Sequence, residues 1–234
     1  MIVPAAIKPV AGPRWSQKRL TGMLVDCFGP GPGGGVDFEA VAEFSDVSAS
    51  TVRRWMTLRG PAGRRVLAIP QRRLERLQRG PVLAEHRNAK QYRHALAALN
   101  DFSDGAEGKA IPVSWLTRGW FEEHAVIVAA IFNKPWYQVL LTNGAATSLL
   151  ALQRRGEPLD LIVVPTRFHA QVVVYAVMQR LQHWRVHPAE HELIHGRTQV
   201  WMDDAPPADL AGIYTRCFPD LPAPAVPEPT ARRQ

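Results

Sequence analysis

The chain has 234 residues, 46% of them hydrophobic and 21% charged, which is enough apolar material for one large core or two small ones. Lys and Arg exceed Asp and Glu by 28 to 21, a formal charge of +7 that favours polyanionic partners, nucleic acid before acidic membrane surfaces. The two cysteines, Cys27 and Cys217, are too far apart for a disulfide framework or a structural zinc knuckle and suit a reducing cytoplasm.

The first residues, broken by Pro4, Lys8, Pro9 and Pro13, do not read as a signal peptide, and residues 1–15 are expected to form a loose arm. The longest apolar run, Ala125 to Phe132, is far short of the roughly 20 residues a membrane span needs. A soluble cytoplasmic protein with no membrane contact is the expectation.

From Ser16, a plausible N-cap, Leu20, Met23, Leu24 and Cys27 recur on one face of an amphipathic helix. The run GPGPGGG at 29–35 ends it, and no strand before it or Gly-Lys-Ser after it marks a phosphate loop. Two short helices follow, Asp37 to Ser45 and Ser48 to Leu58, and then a basic turn, RGPAGRR. A further helix runs from Pro70 to Gly80 and a longer one from Pro81 to Asn100. The polar stretch DFSDGAEGK at 101–109 is the best candidate for a boundary between domains.

Beyond it the texture changes. WYQVLLT and LDLIVV read as buried strands, and each precedes a helical pattern, GAATSLLALQRR and RFHAQVVVYAVMQRLQHW, the second with Thr166 as its cap. Strand, helix, strand, helix implies parallel pairing. ELIHGRTQVWM adds a hairpin at the edge, and the proline-rich end is expected to be disordered. The fold class expected is therefore α+β overall: a helical bundle over 16–100, a linker over 101–110, a small α/β domain over 111–218 for dimerisation or ligand sensing, and a tail over 219–234.

Function is most legible in FEAVAEFSDVSASTVRRWM. A helix-turn-helix needs an apolar and then a small residue where its helices cross, and Val41 and Ala42 supply them. Val47 buries the turn, Val52 and Trp55 face inward from the second helix, and Ser48 caps it. Ala49, Ser50, Thr51, Arg53 and Arg54 are left outward, where hydroxyls meet phosphates and arginine pairs with guanine.

This segment resembles the helix-turn-helix of bacterial and phage repressors, of the lambda-repressor and LacI types. Asp46 stands where those families usually carry glycine, and aspartate tolerates the left-handed backbone better than most residues. The resemblance implies a sequence-specific duplex-DNA regulator, a transcriptional repressor of phage or mobile-element type, acting as a homodimer. Ser48, Ser50, Thr51, Arg53 and Arg54 would lie at the groove, and Arg59, Arg64 and Arg65 along the backbone. Arg53 to Arg93 holds twelve Lys and Arg against Glu75 and Glu85, whereas the chain after Ala110 is balanced at eleven of each sign.

No reaction, cofactor or metal is expected. The alternative is a zinc-dependent hydrolase, because HELIH at 191–195 fits H-E-x-x-H, with Glu192 placed to activate a metal-bound water. A third ligand is missing at the customary spacing, and the same residues also alternate well enough for a hairpin. Ser114 and Ser148 lack a glycine elbow, and Lys134 is the only lysine after Ala110 for a serine–lysine pair. TNGAAT reads as a turn. A DNA-binding replication or partition protein is a further alternative.

Overall fold

The computed structural model describes residues 7–60, 66–79, 82–103, 111–143, 154–189, 192–194 and 196–226. Helix α1 (Gln17–Phe28) starts where expected, with the Ser16 hydroxyl accepting from the Arg19 amide, and it buries Leu20, Met23 and Leu24. Within the expected arm, of which residues 1–6 lie outside the described residues, Val10 donates its amide to the Arg180 carbonyl and the Trp184 indole donates to the Ala11 carbonyl.

Helices α2 (Phe38–Ser45) and α3 (Ala49–Trp55) come next, followed by a feature the basic turn did not announce. Strands β1 (Leu58–Arg59) and β2 (Val66–Leu67) pair antiparallel on either side of it. Helix α4 (Gln71–Arg79) begins one residue after Pro70, whose carbonyl accepts from Leu74, and α5 (Val82–Ser103) runs three residues past Asn100. Asp101, Phe102 and Ser103 of the expected linker are thus the last turn of α5, while 104–110 lie outside the described residues.

After the short helix α6 (Val113–Leu116) comes the larger sheet, built from β3 (His124–Ile131), β4 (Trp136–Thr142), β5 (Gly156–Val164), β6 (Arg185–Val186) and β7 (Val200–Met202). Its order is β5-β3-β4-β7-β6 and every neighbouring pair is antiparallel, so the expected parallel pairing is corrected. The physical reason is β3, whose unbroken apolar run HAVIVAAI does not alternate because its residues are buried on both faces. A tight turn at 132–135 pairs β3 with β4, and β5 pairs with the other side of β3. Strands β4 and β5 therefore do run the same way, but with β3 between them. The helical pattern expected between them lies mostly outside the described residues, at 144–153. The expected hairpin over ELIHGRTQVWM is also corrected: β7 pairs with β4 and β6, and Arg197–Gln199 form a 3-10 turn.

Helix α7 (Arg167–Arg180), capped by Thr166, is apolar nearly all round, with Phe168, Ala170, Val172, Val173, Val174, Val177 and Met178 buried. Such a helix must be covered on every side. It packs against β3, β4 and β5, and also against α5 and α8 (Leu210–Cys217). Tyr92 of α5 stacks on Tyr175 of α7 with ring centroids 4.1 Å apart. One continuous apolar cluster runs from Leu20, Val52 and Leu77 through Ala98 to Val177 and Phe218, so the helical part and the sheet share a core. Ala225, in the expected tail, bonds to Val163 at the β5 edge.

Arg19 ties α1 to the far end of the chain. Its guanidinium grips both carboxylate oxygens of Asp204 at 2.7 and 2.6 Å and lies 5.2 Å from the centre of the Trp184 ring. Gln78 of α4, almost fully buried, donates to the His183 carbonyl at 2.8 Å. No helix among the described residues is long and apolar enough to cross a membrane.

Burial pushes the His169 imidazole of α7 down to about 4, where it packs against Phe218 and shares a 2.8 Å hydrogen bond with the Thr166 hydroxyl. A histidine whose folded pKa is depressed contributes stability that is complete above its unfolded value and is lost as pH falls. The unfolded imidazole titrates near 6.5, so the loss runs from about pH 6.5 towards 4 and amounts to at most about 3 kcal/mol. The urea midpoint is expected to drop between pH 7 and pH 4.5, and to drop less in His169→Asn. Equal drops in both proteins would contradict the assignment.

Candidate nucleic-acid interface

The segment expected to be a helix-turn-helix forms two helices, α2 and α3, joined at Asp46 and built by local hydrogen bonding and a small core. The Asp37 carboxylate caps α2, accepting from the amides of Glu39 and Ala40 at 3.1 and 3.0 Å. At its other end Asp46 takes the left-handed conformation, φ 53° and ψ 56°, which aspartate tolerates better than most residues. The Asp46 amide reaches the Glu43 carbonyl and the Val47 amide reaches Ala42, so two orphan carbonyls of α2 are satisfied by the turn itself. Val41, Ala42, Val52 and Trp55 are buried together with Leu20 and Leu24 of α1.

The final carbonyls of α2 are also held from α4. The Arg73 guanidinium donates to Ser45 at 2.8 Å, and Arg76 donates to Phe44 at 3.4 Å while lying over the Phe44 ring. A cation belongs at a helix C-terminus, where it meets the negative end of the dipole. Part of the basic excess after Arg53 is therefore engaged in bracing the motif, which spacing alone did not reveal.

The expected site residues separate into groups. The Ser48 hydroxyl accepts from the Thr51 amide at 3.3 Å and lies 2.9 and 3.0 Å from the Ser50 and Thr51 hydroxyls. Ser48 is thus primarily a cap, with Ser50 exposed and Thr51 partly buried beside it. Arg53 turns back over the Phe38 ring at 5.1 Å, with Glu39 4.0 Å away, and so bridges α3 to α2. Arg54 is exposed. Arg59 is exposed on β1, three residues beyond Met56, the cap of α3, and is paired with Val66. Arg64 and Arg65 lie outside the described residues. The exposed set brought together on α3 and its adjoining hairpin is Ser50, Arg53, Arg54 and Arg59.

Of the HELIH motif, His191 and His195 lie outside the described residues. The Glu192 carboxylate pairs with the Lys134 ammonium from the β3–β4 turn. Leu193 donates to the Ala189 carbonyl in a single turn, and Glu192 to Ile194 belong to no helix. Among the described residues no group of three or more His, Cys, Asp or Glu could hold a metal ion. Both thiols are held protonated by burial, Cys27 pushed up to about 12 and Cys217 to about 11, which makes them poor nucleophiles.

Comparison of the chain with protein-family models, with curated protein sequences and with solved structures finds no match.

Proposed function

We propose that the protein is a sequence-specific duplex-DNA-binding regulator that presents α3 to the major groove. The observation that carries this reading is the α2–Asp46–α3 unit. It is capped at both ends, locked from beneath by Val52 and Trp55, and leaves Ser50 and Arg54 exposed on its outer face. The β1–β2 hairpin supports it by holding Arg59, exposed, on the strand that follows that helix, where a guanidinium can meet backbone phosphate.

The reading extends to transcriptional repression of the phage or mobile-element kind by a homodimer on paired half-sites. The sheet half then serves dimerisation or effector sensing. No catalytic step is assigned to it.

A salt titration tests the proposal. Neutralising roughly four phosphates lowers affinity about a hundredfold for a fourfold rise in salt. Fluorescence anisotropy with a labelled duplex is expected to show that fall between about 50 and 200 mM salt. Affinity that stays flat over this range would remove the phosphate contacts on which the proposal rests.

A further inference from the structure

A second cationic feature lies far along the chain from α3. Arg118 follows α6, and Arg167 is the first residue of α7. Their guanidinium carbons sit 5.7 and 5.2 Å from the centre of the same indole, that of Trp120, and the Arg167 amide donates to the Trp120 carbonyl. Trp115 stacks against that indole at 5.7 Å, which fixes the platform. Arg118 is exposed and Arg167 partly buried.

The arrangement is electrostatically costly as it stands. Burial and the neighbouring Arg118 charge both disfavour the charged form of Arg167, yet a guanidinium does not give up its proton in a protein. Arg167 also occupies the first turn of α7, the end of a helix where the dipole opposes a cation. Among the described residues neither guanidinium has a carboxylate partner. Glu122, the nearest carboxylate in sequence to Arg118, lies against Gly119; its charge and that of Arg167 both act on His124, but it forms no ion pair with either guanidinium. Cation–π contact with one ring returns only part of that cost. Two like charges on one indole, neither ion-paired among the described residues, are an arrangement a doubly bonded oxyanion completes, since each planar guanidinium offers paired donors.

The geometry points to a phosphate-binding site formed by Arg118 and Arg167 on the Trp120 platform, filled by a free phosphate group or by a backbone phosphate of nucleic acid. The site is independent of α3 and does not require the DNA reading to hold.

The test compares wild type, Arg118→Ala and Arg167→Gln, with circular dichroism confirming that each variant is folded. The first arm measures the thermal midpoint in sodium phosphate against sodium chloride at matched ionic strength. The second measures the salt slope for one duplex. If the site takes free phosphate, wild type gains midpoint with phosphate, and the Arg118→Ala variant needs about tenfold more phosphate for the same gain, the loss of one charge-assisted contact. If it takes a backbone phosphate, inorganic phosphate has no effect, and Arg118→Ala lowers the salt slope by about one unit. The proposal is overturned if the variants match wild type in both arms. It is equally overturned if wild type responds to neither phosphate nor duplex.

Discussion

Replacing Trp55 by alanine is expected to cost about 3–5 kcal/mol of folding stability, because a large buried aromatic is removed and its cavity cannot collapse fully. Trp55 is 6% exposed and lies in the cluster that joins α3 to α1 and α2. That loss is a large fraction of the roughly 5–15 kcal/mol that holds a native protein folded. Since the helical part shares its core with the sheet, unfolding should be a single urea transition for the whole chain, shifted to a lower midpoint in the variant. A cost below about 1 kcal/mol, the range of surface substitutions, would mean that α3 is not anchored through Trp55.

The second large effect separates base reading from phosphate attraction. Arg54 projects from α3 itself, whereas Arg59 stands on the hairpin strand beyond it. Arg54→Ala should cost about 1–3 kcal/mol on a preferred site and far less on a scrambled one, since a bidentate contact to guanine is lost only where the guanine is present. Arg59→Ala should weaken both duplexes alike and reduce the salt slope by about one unit. Arg53 should show a mixed effect, because its guanidinium is already shared with Phe38 and Glu39. Equal losses for Arg54→Ala and Arg59→Ala on both duplexes would place α3 outside the groove.

Helices α2 and α3 and the turn between them were readable in advance because their determinants are local. Asp37 and Ser48 cap helices a few residues away, Asp46 adopts the turn its own side chain tolerates, and Val52 and Trp55 face inward by helical period. Helices α1 and α7 were legible for the same reason, through the Ser16 and Thr166 caps. The sheet was not, because its order depends on β3, whose apolar run carries no alternation to mark it as a strand. Without β3 between them, β4 and β5 read as a parallel pair. Strands as short as Leu58–Arg59 and Val66–Leu67 leave no period to detect. The part of the site that escaped sequence reading is likewise tertiary: Arg73 and Arg76 reach α2 from α4, and Arg53 swings onto Phe38. Arg167 opens α7 and meets Arg118 and Trp120, which follow α6, only through the tertiary fold.

Duplexes selected from a random pool and then titrated against a scrambled duplex of equal length test sequence-specific recognition most directly. At physiological salt the selected site is expected to bind at least about a thousandfold more tightly, the lower end of the range for specific regulators. Arg54→Ala should then erase about 1–3 kcal/mol of that preference. A selection that yields no common sequence, with wild type binding selected and scrambled duplexes equally, would contradict the account and leave only a generic basic surface.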